Sequence, residues 1–278
     1  VSRLKRERDR AVKVPERLVK AIAEARSKCL QSWEAARKEK DFARFAPELS
    51  QMVELTKERA AALGEHTYDA LLDEYEPGAK TEDVETLFSA LRPELVRILE
   101  AVREPAAKTR RDFLTRSYDV DAQWQFTLRI LRDIGFDFER GRQDKSAHPF
   151  TGGPGGDDVR LTTRVDDRDP LNAIFSSIHE GGHGLYEQGF VDAHSRTPLA
   201  AGASMGLHES QSRLWENQIG RSPEFWSHYF PVIQQMFAEA LSDVSEEEFV
   251  RSVNTVRASL IRTEADEVTY NLHIILRY

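Results

Sequence analysis

From Pro15 to Gly135 the apolar residues fall into successive stretches of helical spacing, and this limits the folds open to the chain more than any other feature. In "PERLVKAIAEARSKCLQSWEAARKEKD" the positions Leu18, Ile22, Ala25, Cys29, Leu30 and Trp33 recur at that period, and Pro15 suits a first helical turn. "FARFAPELSQMVELTKERAAALG" reads as a second helix closing at Gly64. "TEDVETLFSALRPELVRILEAVRE" opens with Thr81 as an N-cap and acids in its first turn. "DVDAQWQFTLRILRDIG" again ends at a glycine. The rhythm then breaks. Val159 to Val165, "VRLTTRV", is the best strand, and "TGGPGG" reads as a turn between two short strands, because no Gly-Lys-Ser/Thr follows it. Helices resume at Pro170, and "SEEEFVRSVNTVRASLIRTEADEVTYNLHIILRY" opens with Ser245 as cap and Glu248 at the capping-box position. The expected fold is mainly α, a multi-helix scaffold with a small β element at about residues 138–166.

The chain has 278 residues, 40% hydrophobic and 31% charged, enough apolar content for a sizeable folded core. A formal net charge of -8 argues against a general nucleic-acid binder, which needs a basic face. No apolar run is long enough to span a bilayer, and "VSRLKRERDR" lacks the apolar region of a secretory signal. The single cysteine, Cys29, excludes an intrachain disulfide and fits a reducing compartment, so a cytoplasmic location is expected. The mixed-sign run "RLKRERDR" reads as a solvated helix face, Cys29 as packed, and Trp33, Trp124, Trp215 and Trp226 as core or helix-contact residues. The start at Val1 and the uninterrupted helical rhythm at the other end predict a segment of a longer protein.

"FSSIHEGGHGLYEQGF" carries the chemistry. His179 and His183, four apart, share a helix face and can aim two imidazoles at one metal ion, while Glu180 is placed to hold a water beside it. Gly181 and Gly182 each cost a helix roughly 1 kcal/mol relative to alanine. They are expected where metal and substrate, or another backbone, come close to the helix.

A catalytic metal needs a third protein ligand. Glu187 lies on the same straight helix, one turn too far along. Asp192 and His194 in the following loop are alternatives, and "MGLHESQSRLWENQIG", a second helix carrying His208 and Glu209, is the better source. Glu209 stands 26 residues past His183, a loop-and-return distance. Arg160 on the expected strand and Arg262 on the expected last helix offer guanidinium forks suited to a carboxylate.

Five motifs in this order resemble the carboxypeptidase Taq family of thermostable metallocarboxypeptidases, gluzincin-type zinc peptidases: "HPF" at 148–150, "DVRLT" at 158–162, "HEGGH" at 179–183, "HESQ" at 208–211 and "IRTEAD" at 261–266. The helical first half, with "YDALLDEYEPG", is similar too. The resemblance implies one truncated metallocarboxypeptidase domain over 1–278, residues 1–136 walling a groove and 137–278 holding the metal site. It implies His179, His183 and Glu209 as metal ligands and Glu180 as general base. Arg160 and Arg262 would grip the free C-terminal carboxylate of a peptide, with His148 lining the groove. The implied cofactor is one divalent ion, zinc with cobalt as the alternative. The implied enzyme is a homodimer that releases C-terminal residues with broad specificity. Its partners would be peptides, with neither nucleic acid nor membrane among them. The rival readings are a helical zinc endopeptidase and a catalytically incomplete metal-binding module on the same scaffold.

Overall fold

The computed structural model describes residues 2–64, 67–190, 192–260, 262 and 265–278, with the side chains of Ser2, Thr67 and Asp192 left aside. The chain divides into two compact units, 1–85 and 86–278.

The first unit is helical. It holds α1 (Ser2–Lys13), α2 (Glu16–Glu39), a 3-10 turn at Phe42–Arg44, α3 (Ala46–Leu63) and α4 (Thr67–Tyr75). On α1 the charged run forms i,i+4 pairs such as Lys5–Asp9, as a solvated face does. The expected second helix is split in two, because Pro47 opens α3 and Asp41 caps the 3-10 turn before it. Leu18, Ala25, Ala36, Ala60 and Leu63 form its small core. Trp33, expected as a core or helix-contact residue, is 42% exposed, with the Arg37 guanidinium over its ring. Cys29 is half-buried, and its thiol donates to the Glu48 carbonyl.

Helix α5 (Thr81–Ala107) crosses the division at residue 85. Thr81 is its first residue, and the amide and hydroxyl of Thr81 both donate to the Asp69 carboxylate. The second unit continues with α6 (Val120–Asp133), β1 (Gly141–Lys145), β2 (Thr151–Gly155), β3 (Asp158–Thr163) and α7 (Pro170–Gln188). It ends with α8 (Met205–Arg213), α9 (Pro223–Met236), α10 (Ala238–Leu241), α11 (Glu246–Val253) and α12 (Glu267–Arg277). The fold is mainly α with one small sheet.

That sheet has the order β1-β3-β2, with β1 parallel and β2 antiparallel to β3. The glycine run "TGGPG" is itself the strand β2 rather than a turn. It sits at the sheet edge, and Pro154 falls at the register irregularity between Gly152 and Gly155, outside the residues paired with β3. Leu131, Phe136, Val159 and Leu161 form a small cluster between α6 and β3. A larger core gathers Phe126, Ile130, Ile174, Ile178, Trp226, Phe230, Ile233 and Phe249 from α6, α7, α9 and α11. Trp226 is fully buried there. Its truncation to alanine is expected to cost about 3–5 kcal/mol, measured by denaturant unfolding.

The expected last helix is two. The capping box of Ser245 and Glu248 starts α11, which stops at Val253, and α12 begins only at Glu267 under an Asp266 cap. Asp266 accepts from the Val268 and Thr269 amides, so the chain enters a fresh helix there instead of continuing one.

Arg110 and Arg116 clasp Asp243, tying the segment before α6 to the turn before α11. The Arg116 and Arg110 hydrogen bonds hold the Asp243 carboxyl well below the usual carboxylate range. A depressed folded pKa stabilises above the unfolded value of about 3.9 and is lost as pH falls below it. Asp243→Asn should therefore lower the melting temperature at pH 7 by on the order of 2 °C, a surface-pair effect. The gap should narrow progressively in melts as pH falls below about 4.

Candidate metal centre

Helix α7 starts where Asp169 accepts from the Asn172 amide and Pro170 fills the first turn. Its apolar residues Ala173, Ile174, Phe175 and Ile178 are buried. His179 and His183 follow one turn apart, their ring centroids 5.0 Å from each other.

Helix α8 comes down on α7 at the glycines. A Cβ on Gly182 would meet the Ser212 Cα at 2.7 Å and the Gln211 carbonyl oxygen at 2.8 Å. A Cβ on Gly181 would meet the Leu131 side chain at 2.5 Å. The glycines are thus explained by the backbone of α8 and a side chain of α6. At Gly182 this contact has a chemical result, because it sets α8, and with it Glu209, beside the imidazoles.

The Oε2 of Glu209 lies 3.6 Å from His179 Nε2 and 3.2 Å from His183 Nε2. One ligand atom from each of the three residues lies within 4.8 Å of the others. Donors about 2.0–2.2 Å from a tetrahedrally bound ion stand roughly 3.3–3.6 Å apart, so the spacing fits one small divalent cation. The donor set, two imidazoles and a carboxylate, suits a divalent metal ion. Among the described residues no other such group of three exists. His194, an earlier alternative, is exposed on a 3-10 turn, and the Asp192 side chain lies outside the described residues.

Carboxylates surround the pair. His179 Nδ1 is 2.8 Å from Glu216 Oε2, and Glu216 is flanked by Arg213 and Arg221. Burial alone would lower the His179 pKa, but hydrogen bonds to Glu209 and Glu216 and their charges outweigh it and push it up to about 10. Burial would raise the Glu209 carboxyl, yet its bonds to His179 and His183 hold it far below the carboxylate range. The site is built to hold positive charge.

Glu216 was not foreseen. It sits seven residues past Glu209 in a π-helical turn, Leu214–Ile219, that prolongs α8. That spacing, two helical turns, was the available signal.

Glu180 is 7% exposed, and its Oε2 accepts from the Thr151 hydroxyl at 2.6 Å. The same hydroxyl lies 3.0 Å from the Glu180 carbonyl, so β2 anchors this side chain and its helix together. Arg262 is not on the last helix but in the irregular segment before α12, because the helical spacing read through residues 254–266 is interrupted there. Its Nη1 donates to the Tyr270 hydroxyl at 2.7 Å, and that hydroxyl is 3.4 Å from Glu209 Oε1. Ile261, Thr263 and Glu264 of the same motif lie outside the described residues. Arg160 projects from β3 into solvent and pairs with Asp158 at 2.6 Å. His148 is exposed between β1 and β2, and its carbonyl accepts from Ser146. Among the described contacts neither Arg160 nor His148 touches the three-residue cluster.

The model of the carboxypeptidase Taq (M32) metallopeptidase family matches residues 1–278. The chain belongs to that family. It is 45% identical to thermostable carboxypeptidase 1 of Thermus thermophilus over 282 residues, covering 97% of this chain and 55% of that protein. Carboxypeptidase 1 of Bacillus subtilis is 41% identical over 276 residues, with 99% and 55% covered. The crystal structure of the M32 carboxypeptidase from Deinococcus radiodurans superposes with a TM-score of 0.92 at 44% identity, covering 98% of this chain and 55% of that one. The chain thus spans about half the length of the M32 relatives it matches. Membership of a metallopeptidase family agrees with a metal-binding role for the paired histidines.

Proposed function

We propose that this chain carries the reaction centre of a metallocarboxypeptidase that releases C-terminal residues from peptides with broad side-chain tolerance. The observation that carries the reading is the convergence of His179 Nε2 and His183 Nε2 on Glu209 Oε2. A divalent ion held there, zinc on this donor set with cobalt as the alternative, would lower the pKa of a bound water towards about 7 and polarise the scissile carbonyl.

The residues around it divide the remaining work. Glu180 Oε2 takes the proton of the attacking water and later delivers it to the leaving amine, while the Thr151 hydroxyl keeps that carboxylate in one orientation. Arg262, held against Tyr270, is positioned to receive the free carboxylate at the end of the peptide. Arg160 joins it by exchanging Asp158 for the substrate, and His148 lines the approach. Register set by a terminal carboxylate, rather than by a side-chain pocket, gives positional specificity with wide tolerance. Within this reading the enzyme is a cytoplasmic homodimer acting on peptides, without nucleic-acid or membrane partners.

The test has two arms. Zn2+ titrated into the purified protein should bind at one equivalent, and His179→Ala should weaken it by at least about a hundredfold, a ligand being worth more than a supporting residue. Hydrolysis of a peptide should fall about 10- to 150-fold in kcat/KM when its C-terminus is amidated, the worth of a hydrogen bond to a charged group. Equal cleavage of acid and amide would point to an endopeptidase.

A further inference from the structure

One pair of contacts beside the metal-binding residues takes no part in the mechanism above. The Nδ1 of His183 lies 2.6 Å from the Nδ1 of His208, and the Nε2 of His208 lies 2.7 Å from Glu187 Oε1. Glu187 is one turn beyond His183 on α7, and His208 precedes Glu209 on α8.

Two ring nitrogens at this distance share a single hydrogen, so one donates and the other accepts. A His183 that binds a cation through Nε2 has its proton on Nδ1. His208 must then accept at Nδ1 and carry its own proton on Nε2, where Glu187 accepts it. Every hydrogen in the chain from His183 through His208 to Glu187 is thereby assigned. The opposite arrangement, with His208 donating from Nδ1, puts the His183 proton on Nε2 and blocks ligation.

The His208 ring has little freedom to swap its nitrogens. The Tyr186 ring stands edge-on to it at 4.9 Å, and Gly202 leaves the space that it fills, since a Cβ there would come within 2.9 Å of His208 Cδ2. Carboxylates and carbonyls commonly orient a ligating histidine from outside, as Glu216 does for His179. Here a second histidine is interposed, and its far nitrogen needs the carboxylate.

We infer that His208, anchored by Glu187, is the positioning residue that holds His183 in the tautomer able to bind a metal through Nε2. The inference rests on the metal-site reading given above. It adds two residues whose substitution changes metal affinity without removing a ligand.

The experiment is Zn2+ titration of the purified protein against a competing chelator, with unfolding curves as a fold check. His208→Asn places an amide oxygen about where Nδ1 was, and its affinity should stay within about threefold of wild type. His208→Phe fills the same space beside Tyr186 but accepts nothing, and affinity should fall about 10- to 100-fold. Glu187→Leu, which leaves both rings in place, should weaken binding by a similar factor. In the Zn2+-loaded wild type, imidazole 15N spectra should show His208 protonated at Nε2 and bare at Nδ1. The inference is overturned if His208→Phe binds as tightly as wild type, if Asn and Phe lose affinity equally, or if the proton resides on His208 Nδ1. Unchanged affinity in His179→Ala, measured alongside, would instead remove the metal site itself, and the tautomer argument with it.

Discussion

Glu180→Gln is expected to lose about 10²- to 10⁴-fold in kcat on a peptide with a free C-terminus, while Zn2+ affinity and melting temperature change little. Glutamine keeps the shape of the side chain and an oxygen for the Thr151 hydroxyl, whose bond to Glu180 Oε2 is 2.6 Å. It cannot take a proton at that oxygen. Since Glu180 is not among the three converging ligands, the metal should stay. Parallel measurement of turnover and bound metal separates a lost base from a lost site. Wild-type turnover in this variant would remove Glu180 from the mechanism.

The second large effect is expected at Gly182. Alanine in a helix gains about 1 kcal/mol over glycine, so on propensity alone Gly182→Ala would stabilise α7. The added Cβ, however, would meet backbone atoms, the Ser212 Cα at 2.7 Å and the Gln211 oxygen at 2.8 Å. Backbone cannot turn aside as a side chain can, and α8 must move. We expect a net loss of about 1–3 kcal/mol, the usual cost of overpacking. Zn2+ affinity should fall by at least about tenfold, because Glu209 moves with Ser212. At Gly181 the neighbour is the end of the Leu131 side chain, which can rotate. Gly181→Ala should thus be the milder change in both measurements, and equal effects at the two positions would undo the explanation.

Much of the fold was legible because it is local. The Ser245 cap, the prolines at 15 and 170, the glycine stops and the apolar periodicity act within a few residues, and α2, α6, α7 and α11 start close to where they predict. The readings that changed are those in which a local pattern met a longer-range demand. Periodicity ran straight through residues 254–266, but the Asp266 cap starts a new helix there, and Arg262 falls between the two. "TGGPGG" has the composition of a turn, yet most of it is drawn out as an edge strand against β3. Trp33 lies on an apolar stripe whose outer part remains exposed.

The same division holds for the metal centre. A spacing of four residues on a helix determines that His179 and His183 face one way, since helix geometry depends on nothing beyond the segment itself. No such rule selects a carboxylate 26 residues further on, and Asp192, His194 and Glu209 stood as alternatives in the sequence. Only the packing of α8 onto Gly182 brings the Glu209 oxygen to 3.2 Å from His183 Nε2, and with it His208 to the outer nitrogen of His183 and Glu216 to that of His179. Local hydrogen bonding sets what a segment becomes, whereas which distant side chains meet is decided by how closely two helix backbones can approach.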